Sequence, residues 1–510
     1  MQKIQLPKLR KIGEPIESIK IDKKDYIPKE DRKKILLLCD DIRLHSGIGT
    51  MAKEFVINTA HHFNWVNLGA AIKHPEQGKA FDLSAQINEV TGISDSDVKV
   101  IPWDGYGNDQ IIRQLIDQEK PDAILHFTDP RYWTWLYRME KEIRTKIPMI
   151  FYTIWDDLPY PMWNRDFYRS DDLLLCISKQ TKNLVKNVLR DFPKEDWQVQ
   201  YAPHGIDENK FFPIANDLEF EVFKDKFFEE QEYDFVAFWN NRNIRRKNPG
   251  DVVTAWRIFT DQLTDEQAKR CLLIMHTDQV DQNGTDIPAV IEATCDPERA
   301  KIKFTKGKCD EKTLNYYYNL ADAQFMMTDN EGWGLSLTEG IMAGNMAIAP
   351  VQGGMQDQMR FEDENGDWIN FTTEFPTNSN GKYKKHGEWA IPMWPKTRSL
   401  KGSPSTPYIY ATQVDIEDAG LALLKCYNLG REEITRRGLK GRQWLLSDEA
   451  RMTASNMGQN FIDHINILFE NWKPIERYTV EKVGNGNTTY NPNPVQYTPE
   501  FEQKLKETLL

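Results

Sequence analysis

The chain has 510 residues, enough for two or three domains at roughly 100–200 residues each. Its 40% hydrophobic, 11% aromatic and 28% charged residues exclude the aromatic-poor profile of a disordered chain, and no apolar run approaches the ~20 residues of a membrane helix. The net charge of −12 does not suit a protein that coats nucleic acid through its overall field, although local basic patches stay open.

Residues 1–33 carry mixed charges with Pro7, Pro15 and Pro28, and read as an N-terminal arm. The Lys-rich start has no apolar stretch like that of a secretory signal. A continuous apolar run predicts a buried strand over 35–40. Ser46-Gly47-Ile48-Gly49-Thr50 follows, then a helical pattern over 51–63. Further strands are predicted at 123–127, 148–154 and 173–177, with helices at 110–118, 133–144 and 180–190. This alternation implies βαβ units and a mostly parallel sheet. It pauses over 192–232, read as an interdomain connection. It resumes with strands at 235–239, 272–276, 302–304, 324–327 and 346–349 and helices at 251–263, 311–320 and 335–343. The pattern predicts two doubly wound α/β domains, 34–205 and 206–450, with a ligand site in the cleft beyond the carboxyl ends of their strands. Within the second domain, 371–411 reads as an inserted loop rich in Trp, Tyr, Lys and Arg. Helices are predicted at 416–427, 432–446 and 449–472, and 451–510 forms a closing helix and tail. The six cysteines (Cys39, Cys176, Cys271, Cys295, Cys309 and Cys426) form no CxxC. That argues against a disulfide scaffold or zinc site and predicts a cytoplasmic protein.

Three clusters carry chemistry. The segment Asn330-Glu331-Gly332-Trp333-Gly334-Leu335-Ser336-Leu337-Thr338-Glu339-Gly340 follows a predicted strand and opens a helix. Its glycines leave amides exposed near a helix N-terminus, where the dipole favours a phosphate or diphosphate. Glu331 and Glu339 reach different ends of one ligand and suit sugar or ribose hydroxyls. Residues 241–249 place Arg242, Arg245, Arg246 and Lys247 after a strand end. Arginine grips phosphate through two bonds and lysine adds a point charge, together suited to neutralising a departing diphosphate. In the first domain, Gly47 and Gly49 lie in a strand-to-helix turn. It is not Walker A, because no Gly-Lys-Ser/Thr follows, nor the full dinucleotide fingerprint, because position 52 is Ala.

These motifs, in this order, resemble the retaining glycosyltransferases of the GT-B architecture, specifically glycosyltransferase family 4. Glu331-Gly-Trp-Gly-Leu-Ser-Leu-Thr-Glu339 resembles that family's E-x7-E segment, followed by Gly344 as in its MAxG ending. Leu314 to Asp322 resembles its L…Y..AD helix, Ile302 to Gly307 its V-x-F-x-G strand, and Pro203-His-Gly-Ile-Asp207 its segment before the hinge. Gly47-Ile-Gly49 is similar to its GGIG loop, Ile177-Ser178-Lys179 to its VS turn, and Gly353 to Asp357 to its GGxxE, with Asp for Glu. The resemblance covers about 34–370 plus the closing helices. It implies two Rossmann-like domains facing across a cleft, with C-terminal helices closing back on the first. It also implies a nucleotide-sugar donor, UDP- or GDP-linked, a retained anomeric configuration, a hexosyl or pentosyl group, and no metal or other cofactor. By the same resemblance Glu339 binds ribose hydroxyls and Glu331 the donor sugar. Gly332, Trp333, Gly334, Leu335, Ser336 and Leu337 cradle the diphosphate and sugar. Arg242 and Lys247 stabilise the leaving group, Gly47 and Gly49 approach the same phosphates, and Phe304 and Lys306 lie near the base.

The chain departs from the pattern where members often carry a His. Here the strand ending at Ile154 is followed by Trp155-Asp156-Asp157. Those three residues, with His126 nearby, are the acceptor-side candidates. The aromatic, basic insert is not a standard feature of that family and reads either as an acceptor platform or as a surface excursion packed by its own aromatics. The acceptor is a glycan, a small molecule or a hydroxylated base in DNA. A non-catalytic nucleotide-sugar binder or scaffold is the reading from a different class.

Overall fold

The computed structural model describes residues 26–372 and 382–476. Most of the predicted arm, nearly all of the tail and residues 373–381 of the insert lie outside them.

Eight strands form the first sheet: β1 (Lys33–Asp40), β2 (Phe63–Ala70), β3 (Phe81–Asp82), β4 (Val98–Pro102), β5 (Ala123–Phe127), β6 (Met149–Thr153), β7 (Leu173–Cys176) and β8 (Val199–Tyr201). Their order is β3-β4-β2-β1-β5-β6-β7-β8, and only the β3–β4 pair is antiparallel. β1 shows why its apolar run is continuous. Leu37 and Cys39 pack with Met51 and Phe55 on one face, while Leu36 and Leu38 pack with Ile112 and Leu115 on the other. A parallel strand buried on both faces has no polar side to alternate.

The second sheet holds β9 (Phe235–Asn240), β10 (Cys271–His276), β11 (Ile302–Phe304), β12 (Ala323–Phe325), β13 (Met346–Pro350) and β14 (Ala390–Met393). Its order, β11-β10-β9-β12-β13-β14, is parallel throughout. That is the 3-2-1-4-5-6 order of a doubly wound nucleotide-binding sheet. The first sheet follows the same order from β4 to β7. The strand order therefore reverses at β1/β5 and at β9/β12, where such folds form their crevices.

The chain returns to the first domain through the helix Ala454–Asn471, capped by Thr453. Phe461 on this helix stacks on Phe55 at 4.6 Å and meets Tyr152 edge-on at 5.0 Å. A fully buried phenylalanine contributes about 2–3 kcal/mol, so this return seals the first domain instead of decorating it. Beside it, the outbound crossing pairs Ile206 with Thr453. Among the described residues no helix is long and apolar enough to cross a membrane.

Several elements differ from those read in the sequence. The helix predicted over 51–63 is Gly47–Thr59, and Phe63 already opens β2. The helix predicted over 133–144 breaks into Pro130–Trp133, Thr134–Arg138 and Glu140–Ile143. The connection 192–232 contains β8 and the helix Leu218–Phe228. Most consequentially, 371–411 is not a loop. It supplies β14, then a hairpin of β15 (Thr397–Ser403) and β16 (Thr406–Gln413).

Candidate active site

The second-domain wall of the cleft is built at the carboxyl ends of β9 and β12. The helix Leu335–Met342 opens at Gly334, whose φ of +89° is a left-handed conformation that glycine adopts without strain. A first helical turn has amides without intrahelical acceptors; Leu337 tightens this one by donating to the Gly334 carbonyl at 2.9 Å. Leu335 and Ser336 are half-buried at this edge. Leu337 and Trp333 turn inward, and the Trp333 indole donates to Thr338 Oγ1 at 2.9 Å. Trp333 and Leu337 thus offer backbone, not side chain, to the cleft.

Just before this helix, Glu331 meets the cations that follow β9. Its carboxylate is ion-paired with Lys247, and Arg246 stands 3.5 Å away. Burial pushes the Glu331 carboxyl up, but Lys247 and Arg246 outweigh it and hold it below its ordinary range. Arg246 also donates to the Asn330 carbonyl at 2.7 Å. Arg242, expected beside Lys247, does not join this group. Its guanidinium is largely exposed and lies 3.7 Å from Asp281. Local geometry explains the change of partner: Arg245–Lys247 form a short 3-10 turn that buries Lys247 and lets the guanidinium of the exposed Arg246 reach Glu331.

Deeper in the second domain, Tyr318 donates to Glu339 Oε2 at 2.6 Å and accepts from Asn240 Nδ2 at 2.8 Å. Burial pushes the Glu339 carboxyl up to about 7, against the Tyr318 hydrogen bond. Phe304 ends β11 half-buried against the second core, and Lys306 is exposed in the loop beyond. Next to it, His276 Nδ1 shares a hydrogen bond with Thr305 Oγ1 at 2.6 Å.

The first-domain wall supplies the turn after β1. Ser46 caps the helix Gly47–Thr59 by accepting from the Gly49 amide at 3.0 Å, and donates to Asp40 at 2.9 Å. A Cβ on Gly49 would lie 2.7 Å from the Leu44 carbonyl, so the turn closes only around glycine. The outward position of Gly47 would place a Cβ 3.6 Å from Leu335, so this turn faces the Glu331–Glu339 segment directly. At Gly332 a Cβ would lie 2.9 Å from the Ile154 carbonyl. Farther along, Asp357 Oδ2 accepts from the Lys179 amide at 2.9 Å, and burial pushes its carboxyl up to about 7.

The acceptor-side candidates divide. Trp155 and Asp156 line a cavity of about 550 Å³ with Asp129, Arg131, Arg246 and Asn330. Burial pushes Asp156 up to about 6, opposed by Arg246. Asp157 does not line this cavity. It accepts from the Leu158 amide at 2.7 Å and from Asn330 Nδ2 at 3.1 Å, and burial followed by Asp156 pushes it up to about 8. His126 is a core residue. It stacks on Phe151 at 4.9 Å and shares hydrogen bonds with Tyr137 at 2.9 Å and Thr128 at 3.2 Å. With burial pushing it down to about 3, it stays neutral and faces no ligand.

The β15–β16 hairpin forms the remaining cavity wall through Gly402, Ser403, Thr406 and Ile409. It is tied to both domains. The Tyr410 amide donates to Leu158 O at 2.8 Å, the Thr412 amide to Asp329 O at 3.2 Å, and Tyr408 Oη to Tyr160 O at 3.2 Å. Sequence reasoning placed aromatics and cations in this segment without its shape. It gave no separate role to Asn330 or Tyr318, although both lie in segments it quoted, and it did not single out Asn240. Arg246 was visible only as one cation among four.

No family model and no curated protein matches the sequence. Solved structures do match. A glycosyltransferase from Rickettsia africae is 12% identical, covering 86% of this chain and 100% of its own, with a TM-score of 0.58. A sucrose-phosphate synthase from Thermosynechococcus elongatus is 12% identical over 86% and 100% of the two chains, with a TM-score of 0.57. A UDP-forming α,α-trehalose-phosphate synthase from Burkholderia xenovorans, in complex with glucose-6-phosphate, is 11% identical over 85% and 100%, with a TM-score of 0.57. At such identities the likeness shows the fold: two Rossmann-like domains of the GT-B architecture.

Proposed function

We propose that this chain is a retaining glycosyltransferase that moves a sugar from a UDP- or GDP-sugar to an acceptor hydroxyl. The observation that carries this reading is Glu331 held ionised by Lys247 and Arg246 at the mouth of the Leu335–Met342 helix. A carboxylate that binds sugar hydroxyls sits there beside the cations and amides that suit a diphosphate. Glu339 binds the ribose from deeper in the same wall, and Gly47 and Gly49 bring the first-domain turn to the phosphates. Lys247 and Arg246 supply the charge that a metal supplies in other transferases, so activity should survive EDTA undiminished.

Such a reaction joins the acceptor oxygen to the donor's anomeric carbon as the bond from that carbon to phosphate breaks. The electron pair leaves with the nucleoside diphosphate, and the acceptor proton passes to the departing phosphate oxygen. The UDP-forming and sucrose-phosphate synthases of the same fold favour this reading over a DNA-directed one. So does the hairpin, whose cations are engaged within the protein: Lys396 with Asp415 and Asp418, Lys401 with Asp329, and Arg398 over Tyr410.

The test is thermal stability against UDP-, GDP-, ADP-, CMP- and dTDP-sugars, with wild type beside Glu339→Ala. A donor at a hundredfold over its Kd should add about 2.7 kcal/mol, a shift of several degrees, lost in the variant. No shift with any donor would refute the reading.

A further inference from the structure

The cavity beneath the hairpin adjoins the diphosphate region through Arg246 and Asn330, and its composition narrows the acceptor. We propose that it binds an uncharged polyhydroxylated acceptor, a sugar or cyclitol, oriented by a hydrogen bond from its reacting hydroxyl to Asp156. This rests on the transferase reading above.

Three observations carry it. First, volume: about 550 Å³ falls within the range of small-molecule sites. Its wall includes a half-buried indole, Trp155, which lies edge-on to Trp163 at 5.2 Å. Second, the charges are already matched. Arg131 forms a fork on Asp129, with Nε 2.7 Å from Oδ1, and donates through Nη1 to the Ser405 carbonyl at 3.0 Å. Arg246 is committed to Glu331 and the Asn330 carbonyl. Arg246 is the cation assigned above to the donor diphosphate, so a phosphorylated acceptor needs a second free cation, and Arg131, the other arginine of this wall, is taken by Asp129. Third, Asp156 lines the cavity with no hydrogen bond to its carboxylate from another side chain among the described residues, Gln180 donating only to its backbone carbonyl at 3.0 Å, and Arg246, Glu331, Lys247, Arg131 and Asp157 are the charges around it. A carboxylate acceptor of hydrogen bonds, set between the Glu331 group and the cavity, suits a hydroxyl delivered to the donor's anomeric carbon. The hairpin forms one wall of this cavity through Gly402, Ser403, Thr406 and Ile409, which makes it a specificity element.

The experiment measures nucleotide release by the full chain with the donor found by thermal shift. Glucose, maltose and myo-inositol are compared with glucose 6-phosphate, glucose 1-phosphate and hydroxymethylcytosine-containing duplex DNA. Asp156→Asn and Ile409→Arg, which places a charge in the cavity wall, are assayed beside wild type. At least one uncharged acceptor should raise release tenfold or more over water. Asp156→Asn should raise that acceptor's KM at least tenfold with a smaller change in kcat, and Ile409→Arg should abolish the stimulation. Both variants should keep the wild-type donor-induced thermal shift, which reports an intact fold and donor site. Stimulation by the phosphorylated sugars or DNA alone, by no uncharged acceptor, or with an unchanged KM in Asp156→Asn overturns the inference and leaves the transferase reading standing. Absence of any donor shift or release overturns both.

Discussion

Glu331 and Lys247 act as one unit. Each is buried, and each is affordable in the fold only because the other is there: burial pushes the Lys247 ammonium down while Glu331 opposes that shift. Removing one partner strands the other charge, which is costly in a desolvated site. Lys247→Ala should therefore lower kcat for nucleotide release by about 10²–10³, the size seen when one oriented electrostatic group is lost. The Glu331→Ala/Lys247→Ala double variant should fall little further than either single variant. Additive losses in a double-mutant cycle would show that the two act separately. Both residues stood out in the sequence because they follow strand ends, where chemistry collects, but their pairing did not. Arg242 shows the limit of spacing. A residue count from strand end to lysine does not report which way a 3-10 turn rotates a side chain, and the turn at Arg245–Lys247 brings in Arg246. His126 shows another limit, since a histidine in an apolar strand has the same spelling whether it faces a ligand or stacks on Phe151.

Among the elements, long apolar strands were the most legible, because burial on both faces leaves an unbroken run. Polar and short ones were not. β2 contains Asn64 and Asn67, whose amides donate to the Lys29 and Leu37 carbonyls, so a buried strand reads as mixed. β15 is exposed along its whole length, and Pro395, Pro404 and Pro407 punctuate the hairpin region. Nothing in such a stretch marks a strand until the partner and the cleft behind it are seen. The hairpin's hold on the first domain is concentrated in Tyr408. Its ring meets Trp163 edge-on at 4.4 Å and its hydroxyl donates to the Tyr160 carbonyl. Tyr408→Ala removes an aromatic pair worth about 0.5–1.5 kcal/mol and a net hydrogen bond of about 1 kcal/mol. The expected result is a fall of several degrees in Tm and faster proteolysis between Ser403 and Thr406. An unchanged cleavage rate would mean that the hairpin is held by its other ties, the backbone bonds to Leu158 and Asp329 and the side chains of Arg131 and Asn330.

Across the whole molecule the cleft concentrates buried carboxyls: Asp156, Asp157, Glu339 and Asp357, pushed up by burial to about 6, 8, 7 and 7. A carboxyl protonated in the folded state but ionised in the unfolded chain binds an extra proton on folding. Its contribution therefore falls as pH rises from its unfolded value near 4 to its folded one. Buried histidines act in the opposite direction. His126 and His204, both pushed down to about 3 by burial, take up protons on unfolding below about 6.5 and so penalise acid. Above that pH the histidine slope ends, while Glu339, Asp357 and Asp157 still titrate. Lys179, pushed down to about 8 by burial, adds an opposing slope only above that value. Stability should thus decline from pH 6.5 towards pH 8. Among these four cleft carboxyls Asp157 has the window that extends furthest, and it joins the first domain to Asn330 of the second and, through Asn330, to the Tyr410 carbonyl. Asp157→Asn should flatten the decline between pH 7 and 8 in a series of thermal midpoints, whereas Asp82→Asn, whose carboxyl Ser84 holds below its ordinary range, should leave that segment unaltered. A wild-type midpoint that rises steadily from pH 6 to 8 would mean that these carboxyls are ionised in the folded cleft, with cations or water compensating them.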